Sequence, residues 1–332
     1  MDSVNKAFID LERRVRAQGL LDPTPAFYVY TVGMALALVV ASVVILVTVK
    51  NSWIHMLNAV LLAFAFGQLT LFSHDVGHGQ VTGSRWHALM SNWFGVMLGW
   101  NLDWWVYKHN RHHAFPNQPG YDPDIGIKFI AFSEDQARAR TGWYRVMARY
   151  QNFLFIPMLF GESWHLRCAS IAYLSHQRIL KFALGIALIT LHLALYLGVI
   201  FYFLSIWQAL SFVVIHWGLL GVYLGLVFAP NHKGMPIIEH GTVPGYLEQQ
   251  VLTARNVRGG YLVDIVYGGL NYQIEHHLFP SMPRWHLRQV APMVEALCRE
   301  KNLPYTKTNV RESFREIFGH LSHVGKAAAA EN

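Results

Sequence analysis

The 332-residue sequence predicts an all-α membrane protein: four transmembrane helices in two hairpins, with a cytosolic helical cap. Three observations carry that reading. Apolar residues make up 53% of the chain and charged residues only 14%, against about 25% charged in an ordinary soluble chain. Four apolar runs reach the length that a bilayer requires, about 20 residues. Basic residues crowd into the segments outside the hairpins. The balance of 27 Lys and Arg against 20 Asp and Glu gives a net charge of +7. In so apolar a chain this points to loops beside an anionic membrane face rather than to nucleic acid. Cys168 and Cys298 make no disulfide framework and fit reducing surroundings.

Taken in order, the elements read as one domain, 1–332. Residues 1–25 mix charge (Lys6, Asp10, Glu12, Arg13, Arg14, Arg16) with Phe8, Ile9, Leu11 and Val15. No apolar core follows the basic start, so the segment is not a secretory signal. It reads as an amphipathic helix at the membrane surface, with packing on the rest of the protein as the alternative. Pro23 and Pro25 close it. The expected spans are Phe27–Val49, Trp53–Phe72, Phe182–Leu204 and Ile206–Phe228, joined in pairs near Asn51 and Ser205. Two shorter apolar stretches, Trp86–Leu102 and Phe153–Phe160, read as interfacial or re-entrant. The segment between the hairpins carries ten Lys and Arg, from Lys108 to Lys181, whereas Lys50 is nearly alone at the hairpin tips. The positive-inside rule places both termini and the middle segment in the cytosol. The tail, 324–332, with four alanines, is expected to be disordered.

The sequence holds 18 histidines, and eight of them cluster. His74 and His78 lie four apart in LFSHDVGHGQ, one turn apart on a helix face. His109, His112 and His113 in YKHNRHHAFPN have the spacing i, i+3, i+4, and Pro116 limits that helix. Gln273, His276 and His277 in LNYQIEHHLFPSMP repeat the spacing, closed by Pro280 and Pro283. His232 follows the fourth span in FAPNHKGMP. An even number of crossings separates the clusters, so all fall on one side of the membrane.

Neutral imidazole ligates iron, zinc, copper and nickel. Eight histidines exceed what one zinc takes and suit two ions, with water or Gln273 completing the shell. Asp75, Asp122, Asp124, Glu275 and Asp264 are candidates to accept the second ring N–H of ligating histidines. Each reads equally well as a solvated or capping carboxylate. Gln273 reads as a ligand, a hydrogen-bond donor beside the metal or a helix-surface residue. Asn231 reads as a donor to a metal-bound water or as a helix cap. The ten other histidines, among them His55, His192, His216 and His240, read as packed or hydrogen-bonded residues. Trp100, Trp104, Trp105, Tyr107, Tyr267 and Tyr272 read as the wall of an acyl channel or as an interfacial aromatic belt.

With these motifs in place, the chain resembles the membrane fatty acid desaturases, whose pattern is HxxxH, HxxHH and HxxHH or QxxHH. Here the boxes stand as His74-Asp-Val-Gly-His78, His109-Asn-Arg-His-His113 and Gln273-Ile-Glu-His-His277. Gln in the third box resembles front-end desaturases and some bacterial acyl desaturases. The resemblance implies a non-haem centre of two Fe ions ligated by His74, His78, His109, His112, His113, His232, His276 and His277. O2 is the implied co-substrate, and the implied reaction is removal of two hydrogens from the chain of an acyl lipid or acyl-CoA. The short segment before the first span, without an HPGG motif, leads us to expect a separate electron donor: ferredoxin, cytochrome b5 or a reductase.

Three rival readings remain open at the level of sequence. A hydroxylase or epoxygenase would use the same scaffold. A bis-His haem protein would place paired histidines inside spans, as at His192 and His216. A metal transporter would carry ionisable residues near the middle of several spans, and these spans have few.

Overall fold

The structure, a computed structural model, describes residues 3–81, 86–239, 242 and 244–329. His240 and residues 330–332 lie outside the described residues. In chain order the helices are α1 (Ser3–Ala17), α2 (Pro25–Thr48), α3 (Ser52–Gly77), α4 (His87–Leu98), α5 (Leu102–Ala114), α6 (Glu134–Arg138), α7 (Gly142–Arg149) and α8 (Gln151–Phe160). They continue with α9 (Glu162–Leu174), α10 (Ile179–Phe203), α11 (Ile206–His232), α12 (Tyr246–Leu252), α13 (Tyr261–Tyr267), α14 (Gln273–Leu278), α15 (Arg284–Glu300) and α16 (Val310–Ala327). Two three-residue strands, β1 (Asn256–Arg258) and β2 (Lys307–Asn309), pair in parallel; they are a small departure from the all-helical expectation. The chain, expected as one domain, divides into two compact units, each assembled from separate stretches. We call Pro23–Tyr107 with Met158–Gly225 the span unit. We call Met1–Asp22, Lys108–Pro157 and Leu226–Asn332 the histidine unit.

The four helices long and apolar enough to cross a membrane are α2, α3, α10 and α11, which makes the chain an all-α membrane protein. α3 buries most of its length, whereas α2 and α10 present most of theirs outward. Local chemistry sets the helix ends. The Asn51 side chain accepts from the backbone N–H groups of Trp53 and Ile54 and starts α3. Pro25 opens α2, where a missing N–H costs nothing. The helices outrun the expected second and fourth spans: α3 runs on to Gly77 and α11 to His232. The polar residues at those ends are accommodated because a helix satisfies its own backbone whatever side chains it carries.

Small residues set how closely the span unit packs. On α11, a Cβ at Gly218 would lie 2.0 Å from the Phe160 ring, and one at Gly221 would lie 2.4 Å from the Leu159 carbonyl oxygen. Such approaches are how helices associate where no water drives burial. α4 ends at Gly99, whose φ of +74° favours glycine. A Cβ there would also strike the His192 ring at 2.4 Å.

The histidine unit has a conventional apolar core. Leu11 and Val15 of α1 join Leu247 and Val251 of α12, Ile274 and Leu278 of α14, and Leu287, Val290 and Val294 of α15. The N-terminal helix therefore buries its apolar face in protein. This corrects the membrane-surface reading of residues 1–25, because an amphipathic pattern is the same whether lipid or protein covers it. The described part of the tail, 324–329, is corrected as well. α16 starts on an Asn309–Glu312 capping box and stays helical to Ala327. Val324, Ala327 and Ala328 are buried against Ala131, Ala137 and Ala148. Alanine is the best helix former and allows backbones close approach, so Ala327 and Ala328 pack at the end of the helix.

Candidate metal centre

The local spacing read from the sequence organises the site within the histidine unit. On α5, His109 and His113 turn their Nε2 atoms toward each other at 3.0 Å. α14 brings the His277 ring into a stack on His113 with centroids 4.1 Å apart, and the His276 ring edge-on to His113 at 4.8 Å. His232, the last residue of α11, meets the His112 and His277 rings at 4.5 and 4.6 Å. All six imidazoles are buried. Ring nitrogens of His112, His232 and His277 lie within 4.8 Å of one another, a group able to hold a metal ion.

Hydrogen-bond obligations decide where the protons sit. The Thr253 carbonyl can only accept, so His232 carries its hydrogen on Nδ1 and donates it over 2.9 Å. Asp122 takes the Nδ1 hydrogen of His112 at 3.0 Å. The Nε2 lone pairs of these two rings then face each other across 3.3 Å. A proton or a metal ion between the two rings would satisfy both lone pairs at once. Burial by itself would lower the affinity of His112 for a proton; the Asp122 carboxylate outweighs it, and the pKa is raised. Once that proton is given up, the buried Nε2 atoms are the donor chemistry that a transition metal needs.

The sequence-predicted acids divide. Asp122 is buried, bonds His112 and also accepts from the backbone N–H groups of Asn117 and Asp124. Asp124 lies 3.6 Å from His112 Nδ1 and 2.6 Å from Lys108 Nζ. Burial opposes its charge, but Lys108, His112 and Lys233 hold its carboxyl far below the usual range. Glu275 faces elsewhere: it accepts from Asn256 and from the Tyr305 hydroxyl, each at 2.7 Å, and burial raises its pKa. Asp264 accepts from Asn271 at 2.8 Å. Glu275 thus ties box three to its scaffold, and Asp264 braces the turn before it. Their spacing put them near the box, but helix direction turned them away from it.

Gln273 and Asn231 form one device. The Asn231 amide donates to the Val227 carbonyl and, at 3.0 Å, to Gln273 Oε1. That leaves the Gln273 amide nitrogen 2.9 Å from His232 Nε2, as a donor. Asn231 is therefore directed at Gln273, a role its sequence context did not suggest.

In the span unit, box one stands on its own helix turn. The His74 and His78 rings are 4.7 Å apart, and His74 Nδ1 lies 3.3 Å from Asp75. Trp105 closes on both rings, at 5.2 and 6.1 Å. Among the other aromatics considered, Trp100, Trp104 and Tyr267 are buried, whereas Tyr107 is exposed. His192 and His216 are occupied differently: His192 Nδ1 meets the Val96 carbonyl at 2.9 Å and His216 Nδ1 meets the Tyr196 hydroxyl at 2.6 Å.

Sequence reasoning missed Gln250, which lies 2.8 Å from His277 Nδ1, and the Thr253 carbonyl behind His232. It also missed Asn117, whose amide donates to the His232 carbonyl at 3.2 Å and whose φ is +54°. Asn117 ends the HHAFPN string, and a polar residue tolerant of positive φ just after a proline was the one available signal. YLEQQVL offered none.

Four membrane-length helices and buried histidine groups able to hold metal define the class, an all-α membrane protein with a metal site. Sequence comparison gives the family. The fatty acid desaturase family profile matches residues 51–309. The chain is 32% identical over 348 residues to a Delta(8)-fatty-acid desaturase of Euglena gracilis, covering 98% of this chain and 81% of that protein. It is 30% identical over 319 residues to the Delta(5) fatty acid desaturase fat-4 of Caenorhabditis elegans, covering 91% and 70%. It is 30% identical over 343 residues to an acyl-lipid (9-3)-desaturase of Physcomitrium patens, covering 98% of this chain and 64% of that protein, just under two thirds of its length. The chain belongs to the fatty acid desaturase family and, with it, to the oxidoreductases that act on acyl chains.

Proposed function

We propose that this chain is an O2-dependent acyl desaturase of the front-end kind, with two iron ions shared among His74, His78, His109, His112, His113, His232, His276 and His277. The observation that carries the reading is the facing pair of Nε2 lone pairs on His112 and His232, each set by a fixed acceptor behind the ring. Iron would supply the oxidising power that an unactivated C–H bond requires. The chain's own residues do the rest. Asp122 and the Thr253 carbonyl hold two rings in the ligating tautomer. Lys108 and Lys233 balance the acids behind His112. Asn231 fixes the Gln273 amide so that its N–H faces His232.

The relatives named for Delta(5), Delta(8) and acyl-lipid activities support an acyl lipid or acyl-CoA with a long chain as substrate. The basic bias outside the hairpins supports a cytosolic site and cytosolic termini, reached by an electron carrier such as ferredoxin, cytochrome b5 or a reductase. Expression in a host with a compatible reductase, followed by mass spectrometry of its fatty acids, tests this. A new double bond on the carboxyl side of an existing one is expected. A hydroxylated or epoxidised product would overturn it.

A further inference from the structure

Beyond the boxes themselves, the short helix α12 carries no histidine yet reaches three of the histidines in the unit. Gln250 is fully buried, and its amide nitrogen donates to the backbone carbonyl of His113 over 3.1 Å. A carbonyl only accepts, so this bond orients the amide. Oε1 must then face His277 Nδ1, 2.8 Å away. His277 therefore carries its hydrogen on Nδ1 and keeps its Nε2 lone pair. One helical turn earlier, the Tyr246 hydroxyl donates to the His277 carbonyl at 2.9 Å. Just past the helix, the Thr253 carbonyl sets His232 in the same way. The Thr253 hydroxyl closes back on the Gln249 carbonyl at 2.7 Å, which holds that end of the turn.

We infer that α12 is a clamp on the metal centre, in which Gln250 positions His277 against box two and Thr253 positions His232. This rests on the metal reading above. A side-chain amide is well suited to the task. It accepts from one box and donates to another with a single rigid plane, so box two and box three cannot shift independently. An apolar residue of equal size would fill the space and leave His277 free to rotate or to change tautomer.

The test uses the full chain purified in detergent, with iron content, resistance to a chelator, and the visible spectrum of the Co(II)-loaded protein as readouts. Gln250→Leu should weaken metal retention by about 10–100-fold, the usual effect of losing a ligand's orienting partner. Gln250→Glu keeps the acceptor for His277 Nδ1 but loses the donor to the His113 carbonyl, and should retain metal better than Gln250→Leu and less well than wild type. Its carboxylate should make His277 a stronger donor and shift the Co(II) bands. Gln249→Leu, on the neighbouring position, should match wild type. Undiminished retention in folded Gln250→Leu would overturn the clamp. If Gln250→Leu does not fold, the Glu variant decides: shifted bands support the clamp, and bands identical to wild type overturn it. Wild-type protein that takes up no metal at all would instead remove the metal reading, a separate result.

Discussion

Two histidine sites in this molecule have the same residue type and the same burial but different chemistry. In the histidine unit, His112 and His232 each spend Nδ1 on a fixed acceptor and turn Nε2 toward another imidazole. In the span unit, His216 takes a hydroxyl from Tyr196 and lies edge-on to Phe66, while His192 donates to a backbone carbonyl and stacks on Tyr196. The second set is pinned among aromatic rings beside the guanidinium of Arg167, which rests 4.2 Å from the Trp217 ring. A cation in the middle of a group repels a metal ion. Convergent lone pairs attract one where the nearby cations, Lys108 and Lys233, are matched by Asp122 and Asp124. Burial and number of histidines therefore do not define a metal site; the direction of the second nitrogen does.

The largest expected effect breaks this comparison in two. His112→Ala should lose metal and turnover together. His216→Ala should keep its metal and lose only stability, by about 1–3 kcal/mol for a buried hydrogen bond. Metal content and thermal unfolding of the two variants, measured side by side, would merge the two sites if both lost metal.

Arg167 is the next test, within the span unit alone. It donates to the Ser163 carbonyl and hydroxyl and, at 3.1 Å, to the Leu98 carbonyl at the end of α4. Burial pushes its pKa down to about 10, so it stays charged at neutral pH. Arg167→Ala should cost about 3 kcal/mol, from the void and the orphaned carbonyls. Arg167→Lys should recover little of this, because an ammonium cannot fork between two carbonyls and stack on a ring. Recovery of full thermal stability in the Lys variant would show that charge alone matters there.

A smaller effect sharpens the role of Gln273. Gln273→Ala should lower turnover while most of the metal stays bound, because the amide faces His232 as a donor. Gln273→His should keep part of the activity. Loss of metal in the Ala variant, in step with activity, would make the side chain a ligand instead.

The smallest effect concerns His320 on α16, half-buried and bonded to the Phe132 carbonyl at 2.9 Å. Burial lowers its pKa, and His323 and Lys233 push the same way. The folded state then binds fewer protons than the unfolded chain. Stability from this group is complete above the unfolded value and falls as pH drops below it. A thermal shift between pH 8 and pH 5 should be smaller in His320→Gln than in wild type. An unchanged pH profile would remove His320 as its source.

Much of this was legible in the sequence because its physics is local. Helical spacing alone put His109, His112 and His113 on one face, and His276 beside His277. Hydropathy over about 20 residues located all four membrane-length helices. Asp122 was within reach of reasoning because it lies only ten residues after its partner His112, in the loop that follows α5. Whether lipid or protein covers α1 was not legible, since both present the same apolar face to an amphipathic helix. Neither was the fate of the alanine tail, which depends on Ala131, Ala137 and Ala148 meeting it.

The sequence by itself determined the membrane class, the histidine boxes and the family. Each of these is written in the identity and spacing of neighbouring residues. The tertiary structure alone decided that Gln250 faces His277, that Thr253 backs His232, and that Glu275 turns to Asn256 and Tyr305. Those contacts join residues 19 to 30 positions apart, and each depends on which way a side chain points once its helix is packed. No periodicity encodes that direction; the packed core around each helix sets it.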